Sequence, residues 1–350
     1  MSKGVLLLSG GLDSSLAGLL LKRMGVDLVA LHLESPFGCD SMAETMAREI
    51  GVPLVVRPKG EAFLEILKNP KYGYGSAMNP CIDCRIHMFR IGKAFMEEVG
   101  ASFLVTGEVL GQRPMSQKKR SVVTIDQDSE MEGRVLRPLS AKLLPETLPE
   151  LDGSVDRKRL FGWAGRSRKP QIALAKRLGL GILPSPAGGC LLTDSNFSER
   201  VGDFVALEWN REEAPSGEGV GVEAGPLASL LRYGRHFRLE EGDWVIVGRD
   251  ESDNRALERH IRGAGVAFRP DGFDGPLVCV LSTGQDTGPD RVMELAFGAL
   301  HAFGGAKVPD GDLPVQLLAG SETRPVRLQG LSSGREHLRE KETWMRQWRQ

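Results

Sequence analysis

The sequence predicts an α/β fold, a parallel sheet covered by helices on both faces, followed by a smaller α+β unit. Three observations predict it. The chain opens on an apolar run, Val5 to Leu8, which passes through a serine- and glycine-rich turn into an amphipathic stretch, Leu16 to Met24. Over the first hundred residues, strand-like apolar runs alternate with helical periodicity, as parallel strands joined by crossover helices require. From Arg211 to Gly225 the composition turns rich in Gly and Glu without periodicity, and a second series of short elements follows. At 350 residues, two or three domains are expected.

Each element follows from its pattern. After the first strand and helix, Asp27 to Leu33 is an apolar strand, Ser41 to Ile50 a helix, and Pro53 to Val56 a third strand. Glu61 to Leu67 is helical, and a loop through Tyr72 and Tyr74 leads to Pro80. Arg85 to Val99 makes a further helix, with Cys81 at its expected start, and Phe103 to Thr106 returns as a strand. This α/β domain is assigned to residues 1–150. Residues 151–209 form a basic extension of helices and loops, with helices at Pro170 to Leu178 and Phe197 to Trp209. A linker spans 210–226. In the α+β unit, 227–330, strands are expected at Leu227 to Leu239, Trp244 to Val247 and Leu277 to Leu281. Helices are expected there at Asn254 to Ile261 and Arg291 to Phe303. A last helix, 331–350, places Leu338, Met345 and Trp348 on one stripe. In the parallel sheet, ligands bind at the carboxyl ends of strands, where the Ser9 turn, Glu34 and Gly107 should converge.

Bulk properties narrow the function. The chain is 41% apolar and 26% charged with a net charge of −1, and it lacks an apolar run long enough to span a bilayer. The first strand begins almost at Met1, which leaves no room for a signal peptide, so a cytoplasmic protein is expected. With so little net charge, nucleic-acid contact must come from local patches. One lies between Ser154 and Gly179, where Arg157, Lys158, Arg159, Arg166, Arg168, Lys169, Lys176 and Arg177 face only Asp156. Phe161 and Trp163 are interleaved with these charges and add stacking surface. A shorter patch is Arg113 with Lys118, Lys119 and Arg120.

The chemistry concentrates in two places. Ser9-Gly10-Gly11-Leu12-Asp13-Ser14-Ser15 joins the first strand to its helix. Adjacent glycines let the backbone approach an anion, and free N–H groups at a helix start favour negative charge. Ser9, Ser14 and Ser15 add hydroxyl donors, and Asp13 is suited to hold Mg²⁺ against phosphates. No Gly-Lys-Ser/Thr ending follows, so this is not the phosphate loop of kinases and GTPases. The second place is Asn79-Pro80-Cys81-Ile82-Asp83-Cys84-Arg85, with Cys190 far along the chain in Gly188-Gly189-Cys190. A helix start favours the thiolate form of Cys81, the form that attacks electrophiles and binds metals. Cys81-x-x-Cys84 alone fits a redox pair or half a zinc site with His87 as nearest further ligand. Of the five cysteines, Cys39 and Cys279 read as small apolar core residues.

Taken together, these motifs carry a resemblance. The Ser9 to Ser15 turn resembles the PP-loop of the ATP pyrophosphatase superfamily, whose members cleave ATP between the α- and β-phosphates and adenylate a substrate oxygen. A PP-loop, then Asn-Pro-Cys-x-x-Cys, then a distant Gly-Gly-Cys resembles the tRNA thiouridylases, in which the first cysteine of the motif pairs functionally with the distant one. Those positions are Cys81 and Cys190 here. Thr106-Gly-Glu-Val-Leu-Gly-Gln112 through Gln117 looks like the motif of 4-thiouridine synthases that lies against the nucleotide, and Leu136-Arg-Pro-Leu139 looks like the Arg-Pro-Leu motif that follows it. Tyr233 to Arg249, with Asn254, resembles the RNA-binding module of ribosome-quality-control proteins once called fibronectin-binding, with Arg235, His236, Arg238 and Arg249 facing nucleic acid.

The resemblance implies a Rossmann-like PP-loop domain and an ATP-dependent tRNA sulfurtransferase that releases AMP and pyrophosphate. It implies ATP held by Ser9, Gly10, Gly11, Asp13, Ser14, Ser15, Gly107 and Gln112, and Mg²⁺ on Asp13. Arg113, Lys118, Lys119, Arg157, Lys158, Arg166, Arg168 and Lys169 are the expected tRNA contacts. Adenylation converts a uridine carbonyl oxygen, otherwise a very poor leaving group, into AMP. Two sulfur steps fit. Either Cys190 carries a persulfide that Cys81 resolves as a disulfide, or Cys81, Cys84 and Cys190 ligate a [4Fe–4S] cluster whose fourth iron stays open for hydrosulfide. Cys84, for which the persulfide route has no evident use, favours the cluster. No THUMP or rhodanese segment accompanies these motifs, so the sulfur is expected from outside: inorganic sulfide, a cysteine desulfurase or a sulfur carrier. No membrane partner is expected, and the oligomeric state is left open, a dimer included. The alternatives are a PP-loop ligase or amidotransferase acting on a small molecule, and a non-enzymatic RNA-binding quality-control factor.

Overall fold

Strand β1 (Lys3–Leu7) enters a parallel sheet that is buried on both sides, and its side chains show it. Leu6 packs with Leu20, Leu21, Met46 and Phe103 on one face, while Val5 and Leu7 pack with Leu31, Phe89 and Phe95 on the other. Alternate residues of a strand point to opposite faces, so an unbroken apolar run needs a helical layer on each. The computed structural model describes residues 3–38, 42–182, 190–212, 224–239, 243–261, 265–281, 288–305 and 308–329. Cys39, the glycines before Cys190, most of the expected linker and the expected terminal helix lie outside the described residues.

The chain divides into two compact units, Met1–Ser198 and Glu199–Gln350. The first unit follows the strand–helix alternation: α1 (Leu12–Lys22), β2 (Asp27–Glu34), α2 (Ala43–Ile50), β3 (Leu54–Pro58), α3 (Ala62–Lys68), α4 (Cys81–Val99) and β4 (Phe103–Val105). Then come α5 (Lys119–Asp128), β5 (Val135–Leu136), α6 (Leu148–Leu151) and α7 (Lys169–Arg177). The sheet has the order β3-β2-β1-β4-β5, and all its pairings are parallel. The chain reverses its direction of winding between β1 and β4, which opens a crevice at the carboxyl ends of those two strands. Helix α5 is unanticipated by the sequence reading, which took Lys118 to Arg120 only as a charge run.

Helix α8 (Ser195–Glu212) crosses the division between units. The second unit holds α9 (Ala224–Leu230), β6 (Arg235–Arg238), β7 (Trp244–Val247), α10 (Glu251–His260), β8 (Val266–Pro270), β9 (Val278–Leu281), α11 (Pro289–Phe303), β10 (Leu313–Ala319) and β11 (Glu322–Leu328). Its antiparallel sheet runs β11-β10-β8-β9-β7-β6, and α11 buries Leu295, Ala296, Ala299 and Leu300 in the core built on that sheet. The expected strand Leu227 to Leu239 is corrected: its first part completes α9, and only Arg235–Arg238 is extended. Gly234, at φ +78°, makes the turn that separates them. Strands β8, β10 and β11 were not anticipated. β11 is polar and carries Pro325, tolerable because it is an edge strand. Among the described residues, no helix is long and apolar enough to cross a membrane.

Candidate active site at the carboxyl edge of the parallel sheet

The turn after β1 is held by its own hydroxyls. Ser14 Oγ and Ser15 Oγ each donate to Gly11 O at 3.0 Å, Ser9 and Ser14 hydroxyls meet at 3.1 Å, and Gly11 N–H reaches Ser9 Oγ at 3.3 Å. Gly11 is the cap of α1 and brings no side-chain acceptor, so no side chain caps the first N–H groups of α1. Gly10 sits at φ +76°, and a Cβ there would come within 2.7 Å of Ala43 N. Across the crevice, Gly107 follows β4; a Cβ on it would lie 2.3 Å from Ser14 N. The phosphate-type turn is thus squeezed between two glycines, and neither position admits a side chain.

Asp13 lies in the first turn of α1, and its two oxygens differ. Oδ2 accepts from Gln112 Nε2 at 2.9 Å, whereas Oδ1 is buried without a hydrogen-bond partner. Gln112 Oε1 in turn accepts from Gln171 Nε2 at 3.4 Å, which ties the start of α7 to the same carboxylate. A buried carboxylate oxygen left unpaired is costly unless a cation completes it. The Asp13 site therefore fits Mg²⁺. Ser9, Gly10, Gly11, Asp13, Ser14, Ser15, Gly107 and Gln112 are all brought to this crevice.

Gln112 belongs to a loop, residues 107–117, that reaches the cysteines at its other end. Gly111 N–H donates to Gln117 O at 2.7 Å, Leu110 N–H to Ser140 Oγ at 3.0 Å, and Gly165 N–H to Leu110 O at 2.7 Å. At the far end Cys81 Sγ, the first residue of α4, donates to Ser116 Oγ at 3.0 Å. One turn on, Cys84 Sγ faces Lys59 Nζ at 3.5 Å. Cys190, distant in sequence, comes close enough for the charges of Cys84, Lys59 and Cys81 to act on it. Although the residue is exposed, desolvation of its protein-facing side is the largest influence and raises its thiol above the ordinary range. The Leu192 N–H and Lys59 oppose that rise, and the neighbouring thiols reinforce it. The donor chemistry of the three thiols suits an iron–sulfur cluster. Among the described residues, though, no three His, Cys, Asp or Glu side chains are grouped in metal-binding geometry. His87 Nε2 is bonded to Lys59 O at 2.7 Å, burial lowers its pKa, and among the described residues it joins no group of three ligands with the thiols. Cys279 sits in the core of the second unit, its thiol pushed up by burial.

Glu108 of the same loop anchors it from below. Burial alone would raise the pKa of its carboxyl, but Arg85 at 3.2 Å and Arg137 at 2.9 Å outweigh that and lower it. Arg137 also forks onto Asp126 at 2.9 and 2.6 Å, which gives the Arg-Pro-Leu segment a structural use. Sequence reasoning missed Lys59, Ser116 and Gln171. Lys59 had a signal, since it follows β3 at the same carboxyl edge as Ser9 and Gly107.

The expected RNA contacts divide. Arg113, Lys118, Lys119, Lys158, Arg166 and Lys169 are exposed and Arg168 is half-buried. Arg157 is already satisfied: it meets Glu150 at 2.5 Å and donates to Ala141 O and Leu144 O, each at 2.9 Å. Phe161 and Trp163 are half-buried and stack on each other, ring centres 4.3 Å apart. In the second unit, His236 is buried between Tyr233 O at 2.8 Å and Trp244 Nε1–H at 3.0 Å. Arg249 is clamped on Asp253 at 2.5 and 3.0 Å, Arg238 meets Asp203 at 3.1 Å, and Asn254 caps Leu277 N–H at 3.0 Å. Of the four residues expected to face nucleic acid there, Arg235 alone is exposed with no carboxylate partner among the described residues. Arg249, though clamped, remains exposed, whereas His236 is buried; sequence shows charge and not its partner.

The first unit is, by topology, a parallel α/β unit whose β1–α1 turn resembles a PP-loop. Comparison with known proteins gives the particulars. Residues 1–142 match the family described as thiamine biosynthesis protein (ThiI), and residues 234–318 match the NFACT protein RNA binding domain. A tRNA-specific 2-thiouridylase MnmA of Bacillus cytotoxicus is 23% identical over 321 residues, covering 85% of this chain and 79% of the relative. Among solved structures, a 4-thiouridine synthetase–RNA complex with bound ATP aligns at 24% identity with a TM-score of 0.38, over 61% of this chain and 52% of that one. The U34-tRNA thiolase NcsA from Methanococcus maripaludis, with its [4Fe–4S] cluster, aligns at 18% identity with a TM-score of 0.30, over 68% and 74%.

Proposed function

We propose that the protein is an ATP-dependent tRNA sulfurtransferase that adenylates a uridine carbonyl oxygen and replaces it with sulfur. The observation that carries this reading is the loop 107–117, which meets Asp13 through Gln112 at one end and Cys81 through Ser116 at the other, with Cys190 within electrostatic reach of Cys84 and Cys81. ATP chemistry and sulfur chemistry are thereby served by one short segment. The match of residues 1–142 and the 2-thiouridylase relative support it.

In the first step the uridine oxygen attacks the α-phosphorus and pyrophosphate leaves. The N–H groups at the start of α1 and the hydroxyl of Ser9 take up the departing charge, and Asp13 would hold Mg²⁺ against it. In the second step a sulfur nucleophile attacks the activated carbon, the C–O bond breaks, and AMP carries away the oxygen and the electron pair. Cys81, Cys84 and Cys190 deliver that sulfur. As the finer reading, Cys81, Cys84 and Cys190 would hold a [4Fe–4S] cluster, which would supply a site for sulfide. The sulfur donor is external. Exposed Arg113, Lys118, Lys119, Lys158, Arg166 and Lys169, with Arg168, bind the tRNA backbone, and the target base is unstacked to reach the nucleotide.

Mass spectrometry of tRNA nucleosides from cells with and without the gene tests the reading, with loss of one thiolated uridine expected. An unchanged profile in a host without a redundant enzyme would favour the small-molecule ligase. Iron content of Cys84→Ala separates the sulfur routes: the cluster predicts that iron and thiolation disappear together, and full activity in that variant would leave the persulfide route.

A further inference from the structure

Lys59 presents its ammonium to Cys84 and to the face of Phe63. It follows β3 at the carboxyl edge of the sheet and is half-buried. Its backbone is fixed from both sides: Lys59 N–H donates to Glu34 O at 2.9 Å, and Lys59 O receives His87 Nε2 at 2.7 Å. Its ammonium lies 4.7 Å from the centre of the Phe63 ring and 3.5 Å from Cys84 Sγ. No carboxylate pairs with it among the described residues. Nearby cations differ: Arg57 is forked on Glu98, Arg85 lies on Glu108, and Arg90 donates to Asp128 O. A half-buried ammonium without a counter-charge is unfavourable by itself, and the Phe63 face offsets only part of that. The arrangement is completed by an anion.

We propose that Lys59 is the binding determinant for the anionic sulfur donor, a hydrosulfide-type anion that it draws to Cys84 and Cys190. The inference rests on the thiolation reading only for the anion's identity; the positive potential at the thiols does not depend on it. Phe63 and the fixed backbone hold the ammonium toward the sulfurs rather than toward solvent. Lys59 is a positioning residue: it forms no bond to substrate and places the sulfur nucleophile.

The test compares an anionic with a neutral alkylating agent on the metal-free full-length protein. Iodoacetate and iodoacetamide are attacked by the same thiolate, so the ratio of their rates at Cys84 and Cys190 cancels thiolate content and reports local potential. The wild-type ratio should exceed that of a short peptide bearing Cys84. In Lys59→Met, whose side chain still covers Phe63, it should fall about fivefold, the size expected for one charge several ångströms away in a half-solvated site. Lys59→Arg should restore it. A ratio unchanged in Lys59→Met overturns the inference, whether or not tRNA is thiolated. A ratio that falls in a protein that never thiolates tRNA leaves the Lys59 site standing and removes sulfide as its anion.

Discussion

Gly107→Ala places one methyl group where the crevice has no room. The added Cβ would meet Ser14 N at 2.3 Å, Asp13 C at 2.4 Å and Ser14 Cα at 2.5 Å, all of them backbone atoms that no rotamer change can move. Bringing these pairs to ordinary separation near 3.4 Å requires β4 and the start of α1 to part by roughly 1 Å. Overpacking of this kind costs about 1–3 kcal/mol of stability. Catalysis should suffer more, because the atoms displaced are those of the phosphate-binding turn, and a misplacement of about 1 Å is worth about a hundredfold in rate. Pyrophosphate release in the presence of tRNA, followed beside thermal unfolding, reads both effects. A folded Gly107→Ala protein with lowered melting temperature and about hundredfold slower pyrophosphate release is expected. Wild-type turnover with a normal ATP requirement would refute the placement of ATP between Gly107 and the Ser9 turn.

Two further outcomes test other parts of the account. Burial lowers the pKa of His236 from 6.5 to about 3, so the folded protein binds fewer protons there than the unfolded chain; stability is full above pH 6.5 and falls as pH drops through 6.5 toward 3. Between pH 7 and 4.5 this group should cost the second unit about 2–3 kcal/mol, seen as a lower urea midpoint in acid, and His236→Gln should flatten that slope. Replacing Arg166 and Lys169 by Ala should weaken tRNA binding and reduce the slope of log affinity against log salt by about 0.7–0.9 for each phosphate these side chains neutralise. An unchanged salt slope would remove this segment from the RNA interface.

Much of the first unit was legible because apolar runs and helical periods are properties of single segments. Val5 and Leu7 against Leu6 and Leu8 announce a strand buried on both faces, and Gly10 with Gly107 marks the backbone approach that shapes the crevice. What was hidden is pairing. Nothing local shows that Arg249 is clamped on Asp253, that His236 lies under Trp244, or that Phe161 stacks on Trp163. Gln171 was invisible for the same reason: its partner, Gln112, is brought to it only by the fold. Leu227 to Leu231 reads equally as strand or helix until Gly234 fixes the turn.

The most direct measurement of the central claim is reconstitution under anaerobic conditions with purified protein, tRNA, Mg–ATP and sulfide, followed by nucleoside mass spectrometry. The account predicts a thiolated uridine, formed with equal amounts of AMP and pyrophosphate, and its loss in Cys190→Ser. Adenylate formation that ignores tRNA, or full thiolation by Cys190→Ser, would contradict it.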